Sequence, residues 1–144
     1  MPLERYQKGL EGLRAAGLKL TPQRLAVLEC LVGDETHPTA QELHDRLRKR
    51  HPTMSVATVY NTLSALDAIG WCRKIELGGS SRFDPHTELH DHALCERCGA
   101  MRDVAPVRQA RRAHRERLSA VPGFQVSRVE RIYRGLCAKC ARAA

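Results

Sequence analysis

Two Cys-x-x-Cys pairs, Cys95 with Cys98 and Cys137 with Cys140, constrain this chain more than any other feature. Each pair has the spacing of a tight thiolate turn. Two such pairs converging make a closed tetrahedral four-sulfur zinc site, with Zn–S bonds near roughly 2.3 Å. The plainer alternatives are redox dithiols or disulfides. No apolar signal stretch opens the sequence, which argues for the reducing cytoplasm, where such pairs bind metal. Around the first pair lie His90, His92, Asp84 and Asp103. If His90 and His92 share a strand, alternation points both rings to one face, as two ligands of one metal require. Sulfur already saturates the zinc, so a second metal site of mixed nitrogen and oxygen ligands is the economical reading. The bland alternative is a solvated polar loop.

At 144 residues the chain makes one moderate domain or two small ones. One Trp, three Tyr and two Phe are little material for one large core, so two small cores, one pinned by zinc, fit better. A formal charge of +8 and a pI near 9.6 point to a polyanion, most plausibly nucleic acid, unless the protein is simply a basic soluble one. No apolar run approaches the length of a membrane span, and no membrane partner is expected.

In chain order, Leu3, Tyr6, Leu10, Leu13 and Leu18 predict an amphipathic first helix that ends near Gly17. Thr21 is placed to cap a second helix with Pro22 in its first position. Thr39 caps a third helix carrying Leu43 and Leu47, and Ser55 a fourth running to about Ile69. On that fourth helix Val56, Val59, Leu63 and Leu66 form an apolar stripe, while Ala57, Thr58, Asn61 and Thr62 form a small polar face with Tyr60 at its margin. Such a helix suits a major groove. The alternating run 71–77, the Gly78-Gly79 turn and a returning 81–83 predict a hairpin; helices followed by a hairpin make a winged helix, or else an ordinary bundle with a hairpin. Beyond Pro85 the expectation is a strand pair broken by the first Cys-x-x-Cys turn. Then comes an arginine-rich helix marked by Val107, Ala110, Arg111, His114, Leu118 and Val121, and last a strand over 124–133. A small antiparallel sheet of this kind leaves an edge exposed, and dimerisation is expected to close it.

The motifs Leu-Thr-Pro-Gln-Arg at 20–24, His-Pro-Thr-Ala at 37–40, Ser-Val-Ala-Thr-Val-Tyr-Asn at 55–61, Ser-Arg-Phe-Asp at 81–84 and His-Asp-His at 90–92, with both cysteine pairs, resemble the ferric uptake regulator superfamily over nearly the whole chain. The resemblance implies an α+β protein. Its winged helix-turn-helix DNA-binding domain would span 1–84, with a hinge about 84–88. A small α/β dimerisation and metal-binding domain would span 89–144. It implies structural zinc at Cys95, Cys98, Cys137 and Cys140, and regulatory iron(II) or manganese(II) at His37, Asp84, His90, His92 and Asp103. Lys19, Arg24, Thr58, Tyr60 and Asn61 are the implied DNA contacts.

By resemblance the protein is a cytoplasmic, homodimeric, metal-dependent repressor acting on a double-stranded DNA operator. Both carboxylates being aspartate, with Ser-Arg-Phe-Asp, resembles the peroxide-stress branch, in which bound iron(II) reacts with peroxide and a ligand histidine, matched here by His37 or His90, is oxidised. A manganese- or iron-uptake regulator is the alternative. A metal-dependent hydrolase is remote, because no separate acid–base pair stands out and no enzyme activity is expected. Cys30 and Cys72 match no ligand position and read as small buried apolar residues rather than redox sensors.

Overall fold

Thr21, Thr39 and Ser55 each begin a helix because their hydroxyls accept the backbone N–H three residues on, at 3.3, 3.1 and 3.1 Å. At Thr39 the box is complete, with Glu42 returning its carboxylate to the Thr39 N–H at 2.8 Å. The structure, a computed structural model, describes residues 3–118 and 120–143. It divides the chain into two units, Met1–Glu88 and Leu89–Ala144.

The first unit runs α1 (Leu3–Ala15), α2 (Pro22–Leu31), α3 (Ala40–Leu47), α4 (Val56–Ala68), β1 (Arg73–Glu76) and β2 (Ser81–Asp84). Leu13, Val27, Leu28, Leu31, Leu43, Val59, Leu63, Leu66 and Phe83 are fully buried, so all four helices and the second strand share one core. Each such side chain contributes about 1.5–3 kcal/mol on leaving water. At Gly9 a Cβ would collide with Leu28 and Trp71, which is why α1 approaches so closely there. Trp71 ties α1 to the hairpin: its ring N–H donates to the Arg5 carbonyl at 2.8 Å, and the Arg5 guanidinium lies 4.7 Å from the ring centre. The hairpin pairs Arg73 with Asp84 and Glu76 with Ser81, and both turn glycines have positive φ (65° and 110°). The strand starts at Arg73 rather than Trp71, because Trp71 and Cys72 turn into the core instead of alternating.

The second unit runs β3 (Asp91–Cys95), β4 (Met101–Val104), α5 (Arg108–Leu118), β5 (Ile132–Gly135) and α6 (Ala138–Arg142). Two expectations are corrected here. The sheet is mixed, not antiparallel: β3 is central, β4 antiparallel to it, and β5 parallel with Ile132 opposite His92. A crossover through α5 returns the chain in the direction of β3, which forces that pairing. The strand expected over 124–133 is only Ile132–Gly135. Residues 121–130 are all exposed, so no sheet face demands their alternation. The helix α6 was not anticipated, being short and alanine-rich. The arginine-rich helix is present as α5, although the side chains of Ala110, Arg111 and His114 lie outside the described residues.

Charge is divided unevenly. Residues 1–88 hold 12 Lys and Arg against 11 Asp and Glu, whereas residues 89–144 hold 12 against 5. Among the described residues no helix is long and apolar enough to cross a membrane.

Candidate metal centres and nucleic-acid face

The four sulfurs of Cys95, Cys98, Cys137 and Cys140 lie within 4.8 Å of one another in the second unit. Two turns deliver them. In the first, the Gly99 N–H closes on the Cys95 carbonyl at 2.9 Å with Gly99 at φ 74°. In the second, the Cys137 sulfur caps α6 by accepting the Cys140 N–H at 3.5 Å. Arg97 joins the turns by donating to the Cys140 carbonyl at 2.9 Å. The sulfurs of Cys98 and Cys137 are 3.8 Å apart. Four sulfurs about 2.3 Å from one tetrahedral zinc are separated by roughly 3.8 Å, so the spacing fits that ion. Backbone amides of Cys137 and Cys98 draw the Cys95 thiol down to about 6, towards the thiolate a metal needs. The Cys140 thiol is pushed up to about 12, chiefly because its S–H is held by the Cys137 sulfur. None of the six cysteines forms a disulfide. Cys72 is buried and its thiol pushed up to about 12 by that burial, and Cys30 is also raised by burial, in line with packing roles for both.

On the same unit β3 and β4 build a second cluster. His92 stands opposite Asp103 in the ladder, and His90 lies two residues earlier on the same side. The Nε2 atoms of His90 and His92 are 3.0 Å apart, and the Asp103 carboxylate lies 3.2 Å from the first and 3.8 Å from the second. Two ligands at right angles on a metal with bonds of about 2.1 Å are separated by roughly 3.0 Å, so two nitrogens and an oxygen converge as neighbouring ligands do. A solvated loop would not hold them this way: His92 is 5% exposed.

In the first unit His37 and Asp84 are each 1% exposed, with His37 Nε2 3.5 Å from the Asp84 carboxylate. Asp84 ends β2, and its other oxygen accepts the His86 N–H at 2.8 Å. His37 has φ 54°, alone among the described non-glycine residues in being positive. Left-handed backbone is disfavoured for a residue with a Cβ, and a following proline restricts it further. Strain of this kind costs on the order of 1–3 kcal/mol and persists where surrounding structure imposes it.

The candidate DNA contacts all belong to the first unit. Lys19 is exposed, and the Arg24 guanidinium donates to its carbonyl at 2.7 Å. Tyr60 and Asn61 are exposed on α4, with Thr58 partly so. Thr62, expected on that outer face, is fully buried, and its hydroxyl donates to the Thr58 carbonyl at 2.8 Å, which satisfies it in the core. Lys74 on β1 donates to the Tyr60 hydroxyl at 3.0 Å and sits 5.4 Å from its ring centre.

A family model described as "Ferric uptake regulator family" matches residues 15–131. The peroxide operon regulator of Bacillus subtilis is 39% identical over 144 residues, covering 99% of this chain and 97% of that one. The Helicobacter pylori ferric uptake regulator, whose structure is described as having three functional metal-binding sites, shares the fold with a TM-score of 0.79 at 23% identity, over 98% of this chain and 95% of that one. A zinc uptake regulator solved with zinc and DNA matches with a TM-score of 0.69 at 26% identity, again over 98% and 95%.

Proposed function

The chain belongs to the ferric uptake regulator family, and from that premise we propose that it is a metal-dependent transcriptional repressor that senses peroxide. It is not an enzyme. The observation that carries the metal dependence is the convergence of His90, His92 and Asp103 at neighbouring-ligand distances. The reading assigns the regulatory metal, iron(II) or manganese(II), to these three with His37 and Asp84, and zinc to the four cysteines. An all-nitrogen-and-oxygen set suits iron(II) or manganese(II), whereas four thiolates suit zinc. Identity over the full length to a peroxide operon regulator favours the peroxide reading over a metal-supply regulator. Cytoplasmic location follows from the same reading, as does action as a homodimer.

Held by these residues, iron(II) would activate peroxide; one peroxide oxygen would pass to a ligand imidazole and the other leave as water, so the ring supplies both electrons. The chain's own part is to hold the ligands. The β3–β4 ladder fixes His92 against Asp103, and the strained backbone at 37 fixes His37 against Asp84. A metal drawing on both units binds one arrangement of them better than others, and that differential affinity shifts the population. Dimerisation would cover the exposed Val121, Phe124, Val126, Val129, Tyr133 and Leu136.

Operator binding titrated with iron(II) and with manganese(II), before and after peroxide, tests the reading. The iron form is expected to lose DNA affinity and gain one oxygen on the peptide carrying His37 or His90, while the manganese form keeps both. An iron form unchanged in mass and affinity would make this a metal-supply regulator. A second expected result concerns base reading. Tyr60→Ala should reduce discrimination between operator and random DNA by about 1–3 kcal/mol, the worth of a good base contact, in competition binding. Equal losses on both duplexes would remove Tyr60 from that role.

A further inference from the structure

We propose that Arg82 is a positioning residue for the regulatory metal: its guanidinium grips the His37 carbonyl and holds the left-handed backbone from which His37 meets Asp84. The inference rests on the reading of His37 and Asp84 as ligands. Arg82 precedes Asp84 by two residues on β2, so strand alternation sends both side chains to one face. Its Nη1 donates to the His37 carbonyl at 3.0 Å and lies 3.7 Å from the Glu42 carboxylate. The same Glu42 carboxylate closes the capping box of α3 at Thr39. One residue on, the Phe83 N–H donates to the Pro38 carbonyl at 2.9 Å. Two consecutive donors of β2 therefore hold two consecutive carbonyls, those of His37 and Pro38.

The guanidinium is the stronger of the two grips. It is charged, and its side chain is only 14% exposed, so water competes poorly for it. The far side of the loop is fixed independently, where Asp34 accepts from the Thr36 N–H and hydroxyl and from Arg46, all at 2.6 Å. Between these anchors only His37 must adopt the disfavoured φ. Losing Arg82 would remove the charged donor to the His37 carbonyl and favour relaxation to ordinary backbone, which would swing the imidazole away from Asp84. The chemical role is to place a ligand, not to touch the metal.

Manganese(II) affinity of the zinc-loaded protein, measured by competition with a chelating indicator, tests this. Arg82→Gln is expected to bind manganese about tenfold more weakly, the low end for losing a group that orients a ligand. Zinc content should be unchanged. Arg82→Lys should fall between the two, because one ammonium cannot serve the carbonyl and Glu42 together. A purely structural role would lower the melting temperature of the manganese-free protein and leave the affinity of the folded fraction unchanged. If Arg82→Gln fails to fold, the lysine variant decides alone, and wild-type affinity in it overturns the proposal. His37→Ala separates the two claims. If it binds manganese as tightly as wild type, the ligand reading fails; if it loses binding while Arg82→Gln keeps wild-type affinity, only the positioning role fails.

Discussion

Cys137→Ser is expected to leave the second unit without zinc and without a stable fold, while the first unit stays folded. The reason lies in what that unit buries. Among the described residues its buried apolar side chains are Cys95, Met101 and Cys140, and two of those three belong to the proposed zinc site. Several of its larger apolar side chains, among them Phe124 at 62% exposed and Leu136 at 47%, lie on the surface. Apolar burial of this size cannot offset the entropy of ordering the unit, so the metal must. Structural zinc in small domains contributes an apparent 10–16 kcal/mol, strongly dependent on pH because the thiols must lose their protons. A serine hydroxyl is a far weaker ligand. Zinc analysis with hydrogen exchange, read separately over 3–88 and 89–143, is the check: exchange should become fast in the second unit only. A zinc-free variant that keeps slow exchange across β3 and β5 would show that packing, not metal, holds the unit. Dimerisation should be lost with the fold, since the exposed apolar residues belong to the same unit.

Phe83→Ala is expected to destabilise the first unit by about 3–5 kcal/mol, the usual range for a buried phenylalanine. Whole domains are stable by only about 5–15 kcal/mol, so the unit would be left marginal. Phe83 is fully buried and is the point where the hairpin enters the helical core. Its ring also meets Tyr60 edge to face at 6.3 Å, so the loss reaches the outer face of α4. The two flanking residues are Arg82 and Asp84, and slack in the strand should weaken manganese binding as well as folding. Urea unfolding followed in the first unit measures the first effect. A loss under about 1.5 kcal/mol, too small for a buried phenylalanine, would mean the hairpin is not part of the core.

Local chemistry with short reach was readable from the residues. Thr21, Thr39 and Ser55 declare their helices because a cap involves only the next three residues. The cysteine pairs declare their site because thiolate turns are equally local. What eluded the sequence depended on distant partners. Thr62 looks like a surface residue, and only the Thr58 carbonyl within reach of its hydroxyl makes burial tolerable. The parallel pairing of β5 with β3 depends on where a crossover ends. The run 124–133 looks strand-like, yet over 124–130 no strand forms, and among the described residues none covers that stretch, which is exposed throughout. The strained φ of His37 is likewise silent in sequence: histidine before proline suggests extended backbone, and the departure goes with the grip of β2 on the two carbonyls, which lies far along the chain. The His-x-His pair lay between. Alternation predicted a shared face, but the partner Asp103 needed the register of β4 to be placed.

The uneven division of charge alters how the basic composition should be understood. A pI near 9.6 suggests nucleic acid, yet the unit bearing the candidate base-reading helix holds 12 basic against 11 acidic residues. Binding to any DNA, whatever its sequence, draws mainly on counterions released from phosphates, with a slope against log salt of about −0.9 per phosphate neutralised. On the proposed reading, counterion release by this unit would depend on individually placed cations such as Lys19 rather than on its net charge, which is close to zero. The excess of basic residues sits in the other unit, 12 against 5, where the candidate base contacts do not lie. The high pI is thus set mainly by the half of the chain that does not carry the candidate reading helix.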